Sequence, residues 1–413
     1  MDRVILHSDL NNFYASVECL GHPEWRKIPL AVAGDPEARH GVVLAKNDLA
    51  KRFGVKTGEA LWQARQKCPQ ITFVPPHFER YTAFSRAARE IYCQYTDQVE
   101  PFGLDECWLD VTGSELLFGS GETIANELRR RMKTELGLTV SVGVSFNKVF
   151  AKLGSDMKKP DAVTVLSREN YREKVWPLEV GQLLFAGPVT CEKLRRRGIR
   201  TIGELAASSD SFVEHTLGKA GIQLKRYAGG EDNAPVLRLS ELPPPKSIGN
   251  STTAAHDLTA EEDIRITLYV LCESVSARMR AAGFNARTVQ LTIKDNTFAR
   301  QECQCGLELP NHTARALFEA AYGLYCTHRP QRPVRLLGVT ATGLEPIGEE
   351  QLSFLPEAEQ LRRAEELETA VDTLRGRYGD KALVRGVMFL DQELASARPK
   401  KDHPLGHDTK HQK

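Results

Sequence analysis

Two adjacent carboxylates interrupt an otherwise apolar stretch, FGLDECWLDV at 102–111. The apolar residues suit a buried strand, yet Asp105 and Glu106 fall in its middle. Burying one unpaired carboxylate costs free energy, and two neighbouring carboxylates also repel each other. The chain must therefore either place positive charge opposite this pair or leave both side chains in a solvated turn.

A third carboxylate, Asp9, ends the first predicted strand, RVILHSDL at 3–10. If that strand pairs beside the 102–111 strand, the three carboxylates converge at one edge of a sheet. Hard cations such as Mg²⁺ take oxygen ligands of this kind and share them with substrate phosphates. Two such ions can hold the attacking and leaving oxygens of a phosphoryl transfer. Metal ions are therefore the expected positive charge, and the solvated turn is the alternative.

Length and composition favour a multidomain globular protein. With 413 residues, 41% hydrophobic and 26% charged, the chain is too long for one ordinary core. No apolar run is long enough to cross a bilayer, and the N-terminus carries Asp2 and Asp9, unlike a secretory signal. The nine cysteines have no repeated C-x-x-C spacing, which indicates reduced thiols. We therefore expect a cytoplasmic protein without a membrane partner.

The net charge of +1 averages over unlike segments. Residues 148–200 are rich in basic side chains, with few acids between them: Lys148, Lys152, Lys158, Lys159, Lys193, Arg195, Arg196, Arg197 and Arg200. Local basic clusters in a neutral chain indicate phosphate contacts, although a solvated helix face would have the same composition.

The pattern along the chain separates several regions. A mixture of predicted strands and helices indicates an α+β or α/β first domain ending near residue 165, followed by short, glycine-rich helices at 167–235. The three prolines in LSELPPPKS, at 239–247, favour an extended tether. A second α+β unit follows, with strands in RTVQLTIKD, CQCGLEL and VRLLGVTATGL. Beyond it we expect a helix at 357–378, which binds a partner or packs on the protein itself, and a disordered polar tail.

Three segments together resemble a known family. HSDLNNFYASVE, FGLDECWLDV and VGVSFNKVFAKLGSDMKKPDA are similar to the active-site segments of Y-family DNA polymerases, most of all the bacterial DNA polymerase IV type, which copies damaged templates. GIRTIGELA resembles the thumb of these enzymes, and KSIGNSTT, ARTVQLTI and RPVRLLGV resemble their little finger. The similarity spans residues 3–345 in the family's order, so it is more specific than any one motif.

The resemblance implies an α+β multidomain fold of the right-hand polymerase type, with a ferredoxin-like palm, small fingers, a helical thumb and an α+β little finger. Its implied boundaries are a palm at 1–10 and 76–166, fingers at 11–75, a thumb at 167–235, a linker at 236–246, a little finger at 247–345 and a C-terminal extension at 346–413. The implied reaction is low-fidelity, template-directed addition of dNTPs to a primer 3′-hydroxyl, with release of pyrophosphate, in DNA damage tolerance.

The resemblance also assigns roles to single residues. Asp9, Asp105, Glu106 and the backbone carbonyl of Leu10 would hold two Mg²⁺ ions. Tyr14 matches an aromatic steric gate, a ring that leaves no room for a ribose 2′-hydroxyl; an ordinary core aromatic is its alternative. The remaining implied contacts are Phe13 and Lys51 with the nucleotide, Lys159 with the triphosphate, Lys148 and Lys152 with the phosphates or primer, and Arg195, Arg196 and Arg197 with the DNA backbone. Core packing is an equal alternative for Phe13.

Some positions depart from the family pattern. Asp48 and Lys51 stand where a tyrosine and an arginine usually contact the triphosphate. Lys51 keeps a positive charge, but a lysine cannot bind phosphate in the bidentate manner of an arginine. Lys46 or Arg52 would have to compensate for the lost phosphate contact. Asn11 replaces a second aspartate of the first motif, and we expect little effect because that position is not usually a metal ligand.

QLSFL at 351–355 resembles the short peptide that docks bacterial polymerases on the sliding clamp. Gln351, Leu352, Phe354 and Leu355 would make the contact. The expected partners are thus primer–template DNA, a dNTP and the clamp, bound by a monomer.

Two other functions would use a similar first domain. A nucleotidyl cyclase also places carboxylates and two metals on a ferredoxin-like sheet, but the thumb and little finger argue against it. A catalytically silent DNA-binding accessory protein should have lost a metal carboxylate, and all three are present.

Overall fold

The computed structural model describes residues 2–34, 41–348, 356–379 and 382–395. The described residues form two units, which divide between Pro243 and Pro244. The QLSFL motif and the polar tail beyond residue 395 lie outside the described residues.

Strands and helices alternate through both units. The strands are β1 Ile5–Leu10, β2 Leu30–Ala33, β3 Val43–Lys46, β4 Thr72–Val74, β5 Val99–Pro101, β6 Glu106–Asp110, β7 Val140–Ser145, β8 Val163–Leu166, β9 Ser247–Leu258, β10 Phe284–Asp295, β11 Arg300–Asn311 and β12 Val334–Pro346. The helices are α1 Phe13–Gly21, α2 Asp48–Arg52, α3 Leu61–Lys67, α4 Phe78–Tyr92, α5 Glu115–Phe118, α6 Gly121–Arg131, α7 Lys148–Met157, α8 Tyr171–Val175, α9 Pro188–Arg196, α10 Ile202–Ala207, α11 Asp210–Leu217, α12 Lys219–Ala228, α13 Glu261–Ala282, α14 Ala314–Thr327, α15 Pro356–Tyr378 and α16 Gln392–Ala395. No helix among these residues is long and apolar enough to cross a membrane.

The first unit is built on a five-stranded sheet with the order β5-β6-β1-β7-β8. β1 is antiparallel to both of its neighbours, and every residue of β1 is buried. A central strand of this kind is normally apolar on both faces. The polar residues at the end of β1 are therefore an exception that needs a local reason.

Helix α7 packs unusually close to this sheet. A Cβ atom built on Gly143 of β7 would lie 1.9 Å from the Ala151 carbonyl oxygen and 2.5 Å from the Ser155 nitrogen. No side chain fits in that space, so glycine is required for the close approach of helix and strand.

Two smaller assemblies complete the first unit. A three-stranded sheet with the order β3-β2-β4 packs with α2 and α3 around a small core that includes Val43, Ala50 and Leu61. Helices α8 to α12 pack around another core that includes Val175, Leu194 and Leu205. The predicted short helices of 167–235 are present.

The second unit is a four-stranded antiparallel sheet with the order β11-β10-β12-β9 and two helices packed on it. Alternate residues such as Val289, Leu291 and Ile293 meet Leu271 and Leu317 in the core. This alternation is typical of an antiparallel sheet with one covered face.

Helix α15 packs against the rest of the second unit through charged side chains. Glu368 is 8% exposed, forms an ion pair with Arg280 of α13 and accepts hydrogen bonds from Ser276 Oγ (2.9 Å) and Ala314 N (2.9 Å). Asp372 pairs with the same arginine at 2.6 Å. The structure therefore supports self-packing for this helix, the second of the two roles left open by its sequence.

Two local predictions were wrong. β6 begins at Glu106, so Asp105 precedes the strand instead of lying within it. β9, which contains SIGNSTT, was not recognised as a strand because it is an edge strand in which only Ile248, Ala254 and Leu258 are buried. The α+β multidomain class is confirmed.

Candidate active site

The end of β1 and the start of β6 bring the acidic residues together. Asp9 lies directly opposite Glu106 in the antiparallel register. One residue further on, Leu10 N donates to the Asp105 carbonyl oxygen at 2.9 Å, which fixes the backbone before β6. The sequence prediction that these carboxylates meet at one sheet edge agrees with this register.

Two lysines lie opposite the carboxylates. Lys152 Nζ is 3.2 Å from Asp9 and 2.9 Å from Glu106, and Lys159 Nζ is 2.6 Å from Asp9. Lys152 is on α7, and Lys159 follows that helix closely. Positive charge does stand opposite Asp9 and Glu106, and the chain itself supplies it through residues predicted to meet phosphates.

The pKa values of the three carboxylates are shifted in different directions. Burial and the charges of Glu106 and Asp9 raise the pKa of Asp105 to about 7. Burial and the Glu106 charge also raise the pKa of Asp9. For Glu106, burial acts to raise the pKa, but His7 and Lys152 outweigh it and lower the pKa to about 2. The repulsion between carboxylates is thus concentrated on Asp105, which has no ion-pair partner among the described residues.

The donor set fits a hard divalent cation. Glu106 Oε2 is buried, and no aligned hydrogen bond reaches it although Lys152 stands at 2.9 Å. The described residues contain no group of three or more acids, histidines or cysteines already arranged around a metal position. Carboxylate oxygens are the donors that Mg²⁺ and similar ions prefer. Cations would therefore take over the part of the charge balance that the lysines now supply.

His7 was missed by the sequence interpretation. It is fully buried, its Nδ1 is 2.9 Å from Ser155 Oγ, and its Nε2 is 3.2 Å from Glu106 Oε2. Burial lowers its pKa. Its spacing of two residues from Asp9 was the available signal, because alternate residues of a strand share one face.

Tyr14 and Phe13 have different surroundings. Phe13 is 3% exposed and belongs to the core, whereas Tyr14 is half-buried. The Tyr14 ring stacks on Tyr81 at 4.2 Å and meets Phe78 edge-on at 6.0 Å. Burial and the Asp105 charge raise the Tyr14 pKa to about 12. Of the two aromatics, only Tyr14 combines exposed surface with proximity to the acidic residues.

Helix α2, which carries Asp48 and Lys51, packs with the smaller sheet of the first unit. Lys51 is exposed on α2, and Asp48 begins that helix. Burial and the charge of Lys51 lower the pKa of Lys46, because the two ammonium groups repel each other. Lys46 Nζ donates to Thr57 Oγ1 at 3.0 Å.

The other basic residues differ in their availability. Lys148 Nζ is bound to Glu100 at 2.6 Å and lies over the Trp108 ring at 4.5 Å, so it is already engaged. The arginines at the end of α9 are exposed, and their ion pairs are with Glu192: Arg195 at 3.3 Å and Arg196 at 2.9 Å. Arg197 is exposed at the end of the same helix.

Comparison with known proteins identifies the family. The impB/mucB/samB family matches residues 8–156, and its C-terminal domain matches residues 245–354. A DNA polymerase IV of Acetivibrio thermocellus is 50% identical over 95% of this chain and 99% of its own length. This chain belongs to the DNA polymerase IV group of the Y family. A second relative, DNA polymerase IV 1 of Bacillus subtilis, is 36% identical over 95% of this polymerase and 94% of its own length.

The fold agrees with this family. A Y-family DNA polymerase chimera matches with a TM-score of 0.74 and 22% identity, covering 83% of this chain and 99% of its own. The resemblance seen in the three motifs is confirmed, and the polymerase is a DNA-directed DNA polymerase of the translesion type. Such enzymes depend on divalent metal ions, and neither the cyclase nor the silent accessory protein is favoured.

Proposed function

We propose that the polymerase adds dNTPs to a primer 3′-hydroxyl by two-metal-ion nucleotidyl transfer at the junction of β1 and β6. Asp9, Asp105, Glu106 and the Leu10 carbonyl would hold two Mg²⁺ ions. The supporting observation is the register that sets Asp9 opposite Glu106 with Asp105 adjacent. The chemistry supplied by such ions is activation of the primer hydroxyl and neutralisation of charge on the leaving pyrophosphate.

The lysines act on the phosphates. Lys159 and Lys152 are ion-paired with carboxylates near the reacting position, so they can exchange a carboxylate for a phosphate oxygen over a short distance. Lys51 adds positive charge from α2. Tyr14 covers the sugar of the incoming nucleotide.

Duplex contacts come from other parts of the chain. Lys148 and the arginines 195–197 approach the DNA backbone, which is a sequence-independent contact. We assign the five-stranded sheet to the palm, the small sheet to the fingers, helices α8 to α12 to the thumb and the second unit to the little finger. The polymerase acts as a cytoplasmic monomer.

Primer extension tests this proposal directly. With a primed template and Mg²⁺, the complementary dNTP should extend the primer and release pyrophosphate, and a chelator should stop the reaction. Incubation with ATP or GTP and no DNA should give no cyclic nucleotide. Absence of extension with every nucleotide, in either Mg²⁺ or Mn²⁺, would contradict the proposal.

Replacing Tyr14 by Ala should admit ribonucleotides. Removing the ring opens space beside the sugar, and relative use of an rNTP over the matching dNTP should rise by roughly a hundredfold. Single-nucleotide insertion with both substrates measures this ratio. Phe13→Leu is the matched comparison, because its buried ring should affect thermal stability and leave the ratio unchanged. An unchanged ratio in Tyr14→Ala would remove the steric-gate assignment.

The segment QLSFL is proposed to bind the sliding clamp. Leu352, Phe354 and Leu355 would enter an apolar pocket, and buried anchors of this kind carry most of the energy of such an interface. Replacing Gln351, Leu352, Phe354 and Leu355 together by Ala should leave extension on a bare primer unchanged. Stimulation by a clamp loaded on DNA should be lost, because tethering raises the local concentration of polymerase at the primer end.

Ser353→Ala is the control for this experiment, since Ser353 lies within the motif but is not an anchor. It should keep clamp stimulation. If the quadruple variant is also slow on bare primer and melts at a lower temperature, the segment has a structural role instead.

A further inference from the structure

Asn11, which takes the place of a second aspartate in the first motif, is fully engaged. It is 5% exposed, its side-chain oxygen accepts a hydrogen bond from Asp161 N at 2.9 Å, and its amide donates to Ser141 Oγ at 2.9 Å. Its own backbone N–H donates to the Thr139 carbonyl oxygen at 2.9 Å. Both ends of the side chain are thus fixed, and one of them holds the segment that carries Lys159.

The backbone at Asp161 has an unusual conformation that these hydrogen bonds stabilise. Asp161 has a φ of 53°, which residues other than glycine rarely adopt. Arg129 binds it from the other side, donating through Nε to the Asp161 carboxylate at 3.0 Å and through its guanidinium to the Asp161 carbonyl oxygen at 2.6 Å. Asn11 and Arg129 therefore both hydrogen-bond to the backbone of Asp161, two residues after Lys159.

Two contacts join the Lys159 segment to the end of β1. One is the ion pair between Lys159 Nζ and Asp9, and the other is the hydrogen bond from Asp161 N to Asn11. If Lys159 is to bind a triphosphate, it must leave Asp9. The Asn11 contact does not involve the lysine side chain, so it can persist through that exchange.

We propose that Asn11 is a positioning residue for Lys159: it keeps the 159–161 segment beside β1 when the lysine moves from Asp9 to the triphosphate. This inference rests on the proposed role of Lys159 in binding the nucleotide. It revises the expectation that the Asn11 substitution has little effect. Asn11 itself does not contact the substrate.

The test is a double-mutant cycle in the full-length polymerase. Single-turnover insertion on saturating primer–template gives the dNTP dissociation constant and the maximal rate separately. Asn11→Leu removes both side-chain hydrogen bonds at similar volume. It should weaken dNTP affinity roughly three- to tenfold, the effect of losing one buried hydrogen bond. In a Lys159→Ala background the same change should have no further effect, because the lysine it positions is already absent.

Ser141→Ala is the matched control. It removes the other hydrogen bond of Asn11 and leaves the bond to Asp161 intact, so dNTP affinity should stay near that of the parent polymerase. If Ser141→Ala weakens affinity as much as Asn11→Leu does, Asn11 acts through general packing and the inference is overturned. Should Asn11→Leu melt below the assay temperature, Asn11→Ala at reduced temperature is used in the same cycle.

The cycle also separates the role of Asn11 from that of Lys159. If Lys159→Ala weakens dNTP affinity and Asn11→Leu adds its full effect on top, the positioning role is wrong and the role of Lys159 stands. If Lys159→Ala leaves dNTP affinity unchanged, the proposed nucleotide contact fails, and the positioning role fails with it.

Discussion

Replacing Glu106 by Gln, or Asp105 by Asn, should slow nucleotide addition by roughly a thousandfold or more, because metal ions supply several kcal/mol to such a transition state. Each change keeps the shape of the side chain and removes the negative charge that would hold a cation. Affinity for primer–template should change little, since the proposed DNA contacts lie on other parts of the chain. Single-turnover extension and a DNA-binding titration measure the two quantities separately.

Asp110→Asn is the matched control for this loss. Asp110 is a carboxylate on the same strand, β6, but it accepts hydrogen bonds from Thr112 N and Thr112 Oγ1 and stands at the opposite end of the strand. Its replacement should cost some stability and leave the rate of insertion close to that of the parent polymerase. Appreciable Mg²⁺-dependent synthesis by both active-site variants would remove the carboxylates from the catalytic assignment.

Replacing Glu368 by Ala should destabilise the second unit by about 2–3 kcal/mol, because Arg280, Ser276 Oγ and Ala314 N lose a charged acceptor while Asp372 still pairs with Arg280. Glu368 also accepts from Ala314 N at the start of α14, a position where a negative charge is favourable. Hydrogen exchange of the backbone amides in α13 and α14 should therefore accelerate, and the melting temperature of the unit should fall.

Glu366→Ala tests whether any acidic residue of α15 would give the same result. Its ion pair with Arg362 is long, at 3.9 Å, and exposed, so its loss should cost no more than about 0.5 kcal/mol. If the two variants lose equal stability, α15 is held by its overall charge and not by the contact between Glu368 and Arg280.

The convergence of Asp9, Asp105 and Glu106 was predictable from the sequence because burying carboxylates costs free energy. Asp105 and Glu106 stand out as charges in an apolar stretch, and Asp9 as the polar end of a buried strand. Because burying these carboxylates without a partner is unfavourable, their presence in an apolar stretch indicates a nearby cation. The lysines that approach Asp9 and Glu106 were predicted to be phosphate contacts, but their pairing with the carboxylates was not predicted.

Other features carried no comparable signal. His7 and Asn11 are ordinary polar residues in the sequence, and their importance comes from the strands and loops that are brought beside them. β9 is a mostly polar edge strand, so the expected alternation is weak. Helix α15 buries Glu368, which a hydrophobic pattern cannot predict, because the partner that makes this burial tolerable, Arg280, is 88 residues away in the sequence.

The contact between α7 and β7 has a consequence for which positions of this polymerase tolerate mutation. Gly143 has no side chain and lies inside β7, yet a single methyl group there would meet the backbone of α7 and force the helix outward. Lys152 is carried on that helix, so its distance from Asp9 and Glu106 would grow with the displacement. A variant at Gly143 would retain Lys152, Asp9 and Glu106 but change the distances between them. In a primer-extension assay it would resemble a mutant of one of these residues.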